Sequence, residues 1–203
     1  MIGRAANKFH SLWLSHTYPF SRIGKGVSID RSCEIRRDVA KYISIGKDVI
    51  IEKDVWIHIE GIPSDGKPVV VLDDGCVIGR NSVISAKNHI YVGRHVLFGP
   101  SVLVMDHNHE FEDFSTPIKF QGTTPGGTIS IEEGAWVGFG GAIVSDAGEL
   151  AIGRNAVIGA NSFVTGSVAP YTVVVGNPGR PIKHFDPVRQ AWLIGGRTLK
   201  SAV

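Results

Sequence analysis

Aliphatic residues recur along this chain at every sixth position, a spacing that fits neither the 3.6-residue period of a helix nor the alternation of an ordinary strand. In IGRNAVIGANSFVTG (152–166) they fall at Ile152, Ile158 and Val164, with glycine after the first two. Small or β-branched residues follow four places on, at Ala156, Ser162 and Val168. The same register gives the triplets Ile23, Ile29, Ile35; Ile45, Ile51, Ile57; Leu72, Ile78, Ile84; Val92, Phe98, Val104; and Ile131, Val137, Ile143. One large and one small inward residue in every six suits a short strand and a corner. Three such units close one triangular turn, and stacked turns bury a continuous apolar column. The pattern predicts an all-β chain of about six triangular coils.

Stacking without gaps would set successive triplets eighteen residues apart. They begin instead at 23, 45, 72, 92, 131 and 152, so the intervals exceed eighteen by four, nine, two, twenty-one and three residues. Every excess follows the third unit of a coil, which brings all the insertions out at one edge of the prism. The longest is an extruded loop, 105–130. It opens on VMDHNHEF (104–111), where Asp106, His107, His109 and Glu110 crowd four potential proton carriers or metal ligands into five positions. Residues 1–22 form a short N-terminal segment predicted as helix, 23–183 the repeat region, and 184–203 a tail predicted as helix.

Composition narrows the class. With a net charge of +2 over 203 residues, nothing points to a nucleic-acid surface. The 25 glycines, without collagen periodicity, fit many tight corners. Cys33 and Cys76 both fall on the small position of the repeat and read as apolar fillers in a reducing compartment. The longest apolar run near the N-terminus, Leu12 to Leu14, is too short for a signal or a membrane span, so a cytoplasmic location is expected. Arg4, Lys8, Phe9, Trp13 and Leu14 would form a short amphipathic helix that packs over one end of the fold or touches a membrane surface.

The hexads, the long loop beginning DHNH and the tail VVVGNPGRPIK resemble the hexapeptide-repeat acyltransferases, from about Ile23 to Lys183. Within these the chain is most similar to sugar O-acetyltransferases: the galactoside and maltose acetyltransferases, and enzymes that acetylate surface polysaccharides. The resemblance implies a left-handed parallel β-helix, a homotrimer, acetyl-CoA bound between neighbouring subunits, and a loop histidine as general base.

Acetyl transfer to a hydroxyl needs a group that takes the proton as the oxygen attacks, because free alcohols do not ionise near neutrality. By alignment His107 is the expected base, with His109 as the rival. Asp106 or Glu110 would orient the imidazole or contact sugar hydroxyls. Because adjacent side chains on an extended segment diverge, Asp106 reads as a sugar ligand or turn former, not as the partner of His107. Asn88, in the insertion one coil earlier, would bind a sugar hydroxyl or simply turn a corner. Arg180 and Lys183 would hold the phosphates of coenzyme A. Phe139, Ala160 and Thr165 would line the pantetheine groove, and Trp136 would need cover from that arm or from a neighbouring subunit.

The chain departs from the galactoside and maltose enzymes in two places. Asn108, and not proline, follows His107, and the segment before Ile23 is short. Both lean toward polysaccharide-modifying members with lipid-linked or nucleotide-linked acceptors. Three other readings stay open: N-acetyl transfer to an amino sugar, a γ-carbonic-anhydrase-like zinc site drawing on His89, His107 and His109, and a non-enzymatic scaffold. The favoured reading expects no metal.

Overall fold

The computed structural model describes residues 2–61, 66–194 and 197–198, with side chains described from Asn7 to Ile194 in those ranges. Three parallel sheets form the faces of a triangular prism. The first face climbs from Arg22–Ile23 to Ala147–Ile152, the second from Ser28–Ile29 to Thr172–Val175, and the third from Glu34–Ile35 to Phe163–Val164. The first and third sheets contain six strands each. Strand pairing places the repeat residues level with one another. Ile45, Leu72, Val92, Ile131 and Ile152 align on the first face, and Ile35, Ile57, Ile84, Val104, Ile143 and Val164 on the third.

These columns are the core. Ile45, Leu72, Ile78, Ile84, Val92, Val104, Ile131 and Ile158 are all 0% exposed. Each such side chain contributes about 1.5–3 kcal/mol on burial. β-Branched residues dominate because they pack well on a pleated surface buried from within.

The corners have a regular device of their own. Three residues after the inward aliphatic the backbone enters the left-handed region at Asp48, Asp54, Asn81, His95, Ser101, Asn155 and Asn161, and at Gly75, Gly134 and Gly140. Asn, Asp and Gly suit that conformation best. At Gly134, at φ +72, a Cβ would press on the Asn155 side chain of the next coil, which would have to shift to admit it.

The ends of the prism are closed differently. Helix α1 (Ile2–Thr17) lies over the first coil, with Leu14 buried in the core and Ser11 Oγ accepting the Ile29 backbone N–H at 2.7 Å. Its outer side leaves Phe9, Leu12 and Trp13 exposed. Among the described residues no helix is long and apolar enough to cross a membrane.

At the other end, the tail expected as helix is an antiparallel extension of the second sheet. Thr172–Val175 pairs with Arg180–Asp186, which pairs with Ala191–Ile194, and that strand with Arg197–Thr198. Tyr171, Phe185 and Trp192 follow one another across it, the first pair tilted and the second edge to face. Residues 195–196 and 199–203 of that expected helix lie outside the described residues. The excursion expected over 105–130 also ends sooner, since Gly126–Ile131 is already a strand of the first face.

Cys76 is 0% exposed and its thiol is pushed up to about 12, by burial first and then by the charge of Asp73; burial likewise raises Cys33 to about 11. A raised folded-state pKa means that the folded chain binds the thiol proton more tightly than the unfolded chain. This contribution to stability is complete below the ordinary thiol value near 9 and is lost as pH rises from there toward 12. We therefore expect Cys76 to resist a thiol-specific reagent at pH 8 until denaturant unfolds the protein, and thermal stability to fall above pH 9. Rapid labelling of Cys76 in the native state would contradict this packing.

Candidate active site

Leu103–Met105 is a strand in the middle of the third face, and at its end the chain leaves the prism. The first residue outside, Asp106, is fully buried. Its Oδ1 accepts the Lys87 N–H at 2.7 Å, and its Oδ2 accepts the N–H groups of Asn88 and His89 at 2.9 Å each. Its backbone carbonyl accepts the Gly127 N–H at 2.7 Å. One carboxylate thus ties the insertion at 86–89, one coil below, to the root of the excursion.

The same carboxylate holds His107, with Nδ1 3.1 Å from Oδ1. This corrects two expectations. Asp106 is the partner of His107, and at 0% exposure it cannot also be a sugar ligand. The argument from diverging neighbours fails because the chain turns out of the strand between the two residues. A carboxylate that already accepts three N–H groups is an acceptor toward Nδ1 too. The proton of a neutral ring therefore sits on Nδ1 and the lone pair on Nε2. His107 itself is 6% exposed. His109 differs on both counts: it is exposed, and it lies on the outgoing arm of the loop, bridged to Thr123 on the returning arm.

The base of the excursion is fastened from below. Lys87 Nζ donates to Thr123 Oγ1 at 3.0 Å and to the carbonyls of Thr123 and Thr124. Asn88 Nδ2 donates to the carbonyls of Pro125 at 2.9 Å and Gly127 at 3.2 Å. Asn88, expected on a sugar hydroxyl or at a corner, thus uses its Nδ2 to close the loop. Gly126 completes the closure at φ +81, where a Cβ would meet Asn88 Nδ2 and the Asp106 carbonyl at 2.7 Å. Neither Lys87 nor Gly126 emerged from the sequence. The placement that singled out Asn88 applied equally to Lys87, whereas nothing in TTPGG distinguished one glycine from the other. Beyond the base, Phe111, Phe114, Ile118 and Phe120 project from the loop, each more than half exposed.

The other expected residues fall into two groups. Thr165 lies on the third face, two coils above Met105, and shares a cavity of about 220 Å³ with Arg180, Phe163, Val174 and Pro178. Arg180 opens the strand after the Gly176–Gly179 turn and is exposed, with Nη1 donating to the Gly179 carbonyl. Lys183 instead has its Nζ 5.0 Å from the centre of the Trp192 ring. Trp136, Phe139 and Ala160 sit on the second face and at its corner with the third, all exposed. A single chain does not bring this second group to His107, since the third face lies between them. Among the described residues no three His, Cys, Asp or Glu side chains converge as a metal would require.

In sequence the chain is 28% identical over 163 residues to a probable acetyltransferase of Mycobacterium tuberculosis, covering 80% of this chain and 49% of that protein. It is 26% identical to a protein of Escherichia coli K12 named "Putative lipopolysaccharide biosynthesis O-acetyl transferase WbbJ", covering 79% and 80% respectively. It is 35% identical to the galactoside O-acetyltransferase of Lactococcus lactis, covering 68% of this chain and 60% of that one. The chain thus spans about half the length of the first of these relatives.

Among solved structures, an N-acyltransferase from Bacillus cereus, crystallised with dTDP-4-amino-4,6-dideoxyglucose and coenzyme A, superposes with a TM-score of 0.70 at 19% identity, covering 86% of this chain and 88% of that one. No family model matches the chain. The chain is a relative of O-acetyltransferases in sequence and of hexapeptide-repeat acyltransferases in fold.

Replacing Asp106 by Asn leaves a single acceptor oxygen, and turns an amide NH2 toward N–H donors. Unpaired buried donors cost about 1–3 kcal/mol each, so D106N is expected to lower the thermal midpoint by several degrees. Gly126→Ala strains the loop base and should destabilise by about 1–3 kcal/mol. Denaturant titration beside wild type checks both, and an unchanged midpoint for D106N would show that the carboxylate does not hold the site together.

Proposed function

We propose that the protein is an acetyl-CoA-dependent O-acetyltransferase that acetylates a sugar hydroxyl of a surface polysaccharide or its precursor, with His107 as general base. The observation that carries this reading is the Asp106–His107 pair, at 3.1 Å, which leaves Nε2 as the basic nitrogen. The acceptor oxygen attacks the thioester carbonyl carbon as its proton passes to Nε2. The tetrahedral intermediate then collapses, the C–S bond breaks, and the departing sulfur takes that proton from the imidazolium. Asp106 stabilises the imidazolium between the two steps.

A histidine held by a buried carboxylate supports a hydroxyl acceptor over an amine, because an amine of low pKa is already nucleophilic and depends less on a base. The sequence relationship to the E. coli and L. lactis O-acetyl transferases supports the same choice. Arg180 and the cavity it shares with Thr165 would receive the nucleotide end of coenzyme A, with Lys183 adding charge from its seat over Trp192.

The distribution of outward side chains supports a homotrimer, and the resemblance to hexapeptide-repeat acyltransferases supports a left-handed coil. The second face presents Ile50, Val77, Leu97, Trp136 and Val157 in one column, and the upper coils of the third present Val83, Leu103, Ala142 and Phe163. The first face presents Arg22, Ser44, Val71, Tyr91, Ser130 and Ala151. Two different apolar faces on one chain suit a heterologous contact that closes a ring of three. Such a ring sets Trp136, Phe139 and Ala160 of one subunit opposite His107 of another, lining the pantetheine groove. The exposed Phe9, Leu12 and Trp13 of helix α1 support a peripheral membrane contact for a lipid-linked acceptor.

Acetyl-CoA consumption against a panel of sugars is expected to fall by about 10²–10⁴-fold in His107→Ala, and far less in His109→Ala. The reverse ranking would move the base to His109. Light scattering should give a mass near three times 21.9 kDa, reduced to one chain by Leu97→Arg.

A further inference from the structure

Below His107 on the same edge of the prism lies a group of side chains that the chemistry above does not use. His58 is level with Ser85 on the next coil and with Met105 on the one above, so it occupies the third face two coils beneath the strand that leads to His107. Glu60 continues that edge: its N–H donates to the Ala86 carbonyl at 2.7 Å, which sets it beside Lys87. His58 Nε2 and Glu60 Oε2 are 3.1 Å apart, with side chains 25% and 36% exposed. The Trp56 ring lies 5.0 Å from the His58 ring at a tilt of 39° and is itself 39% exposed.

We propose that Trp56, His58 and Glu60 form the acceptor subsite, taking a neutral hexopyranose with vicinal hydroxyls and presenting one of them upward to His107. This inference rests on the acetyltransferase reading. The apolar C–H face of a pyranose needs a flat hydrophobic surface, which the half-exposed indole offers. Its hydroxyls need an acceptor, and a carboxylate is acceptor-only, with Oε1 left to receive them while Oε2 is fixed by His58.

The Glu60 carboxyl is held below its ordinary range by the His58 hydrogen bond, against the opposing effect of partial burial, and further by the charge of Lys87. Glu60 is thus ionised and electrostatically tied to the edge on which His107 stands. A negative charge there disfavours a phosphate. The phosphate of any nucleotide-linked or lipid-linked acceptor would therefore lie away from Glu60, with the neutral ring over it. Lys87 offers such a phosphate no free donor, because its ammonium already donates to Thr123 and Thr124.

The test uses full-length protein and the methyl glycosides of glucose, galactose, mannose and rhamnose. Wild type is compared with Glu60→Gln and Trp56→Leu, both checked for an unchanged melting profile. A lost hydrogen bond to a charged group corresponds to about a tenfold or greater weakening. Acceptor KM is expected to rise by about that factor in Glu60→Gln while KM for acetyl-CoA does not move. An unchanged acceptor KM, or an equal rise in both constants, overturns the assignment. Glycoside binding is also followed by saturation-transfer NMR, independently of turnover. If wild type turns over no sugar yet binds one, and Glu60→Gln abolishes that binding, the acetyltransferase reading fails and the subsite stands. Equal binding by both proteins, or none by wild type, overturns the subsite.

Discussion

A parallel β-helix of this kind depends on keeping every sixth side chain pointing inward while the chain turns three corners per coil. Ile45, Leu72, Val92, Ile131 and Ile152 stack in one column because each strand hands its register to the next through parallel hydrogen bonds. The corner between strands must cost exactly the residues that bring the next aliphatic inward. The left-handed residues three places after each aliphatic, such as Asp48, Asn81 and Asn155, perform that task. A coil that gained one residue within a face would turn its inward set outward. Extra residues are harmless only where a face ends, and at the third edge they collect.

That tolerance is what makes room for chemistry. The long excursion leaves and returns through two ends that must be held together, and Asp106 does much of the holding. A single buried carboxylate satisfies three backbone donors of the coil below and orients the imidazole of the next residue. Structural and chemical functions are therefore hard to separate at this position. Lys87 and Asn88, with Gly126, complete the closure on the other arm. The exposed aromatic residues beyond, Phe111, Phe114 and Phe120, have no core of their own to enter, which is the condition of a loop built to lie on another surface.

The faces are not equivalent. Alternation along the strands sets an outward column on each face, and only that of the first carries polar residues over most of its height. Trp136 and Leu97 on one side and Leu103 and Phe163 on the other are unusual for a solvated surface. Together with the third face that separates His107 from the Trp136 group, they are what the proposed trimer rests on.

The sequence by itself determined the repeat, the inward residue of each strand, the edge at which every insertion emerges, and His107 at the root of the longest one. These were legible because each depends on spacing along the chain, and a six-residue period leaves little freedom in how it can be buried. It did not reveal the strands after Thr172, because pairing between Arg180–Asp186 and Ala191–Ile194 depends on a sheet edge that exists only once the prism is built. It misjudged Asp106, whose role is set by three N–H groups nineteen or fewer residues earlier in sequence and one coil below in space. Nor did it bring His58 and Glu60 to the edge of His107, two coils away. Contacts between coils are long-range by nature, and only the stacked structure decides them.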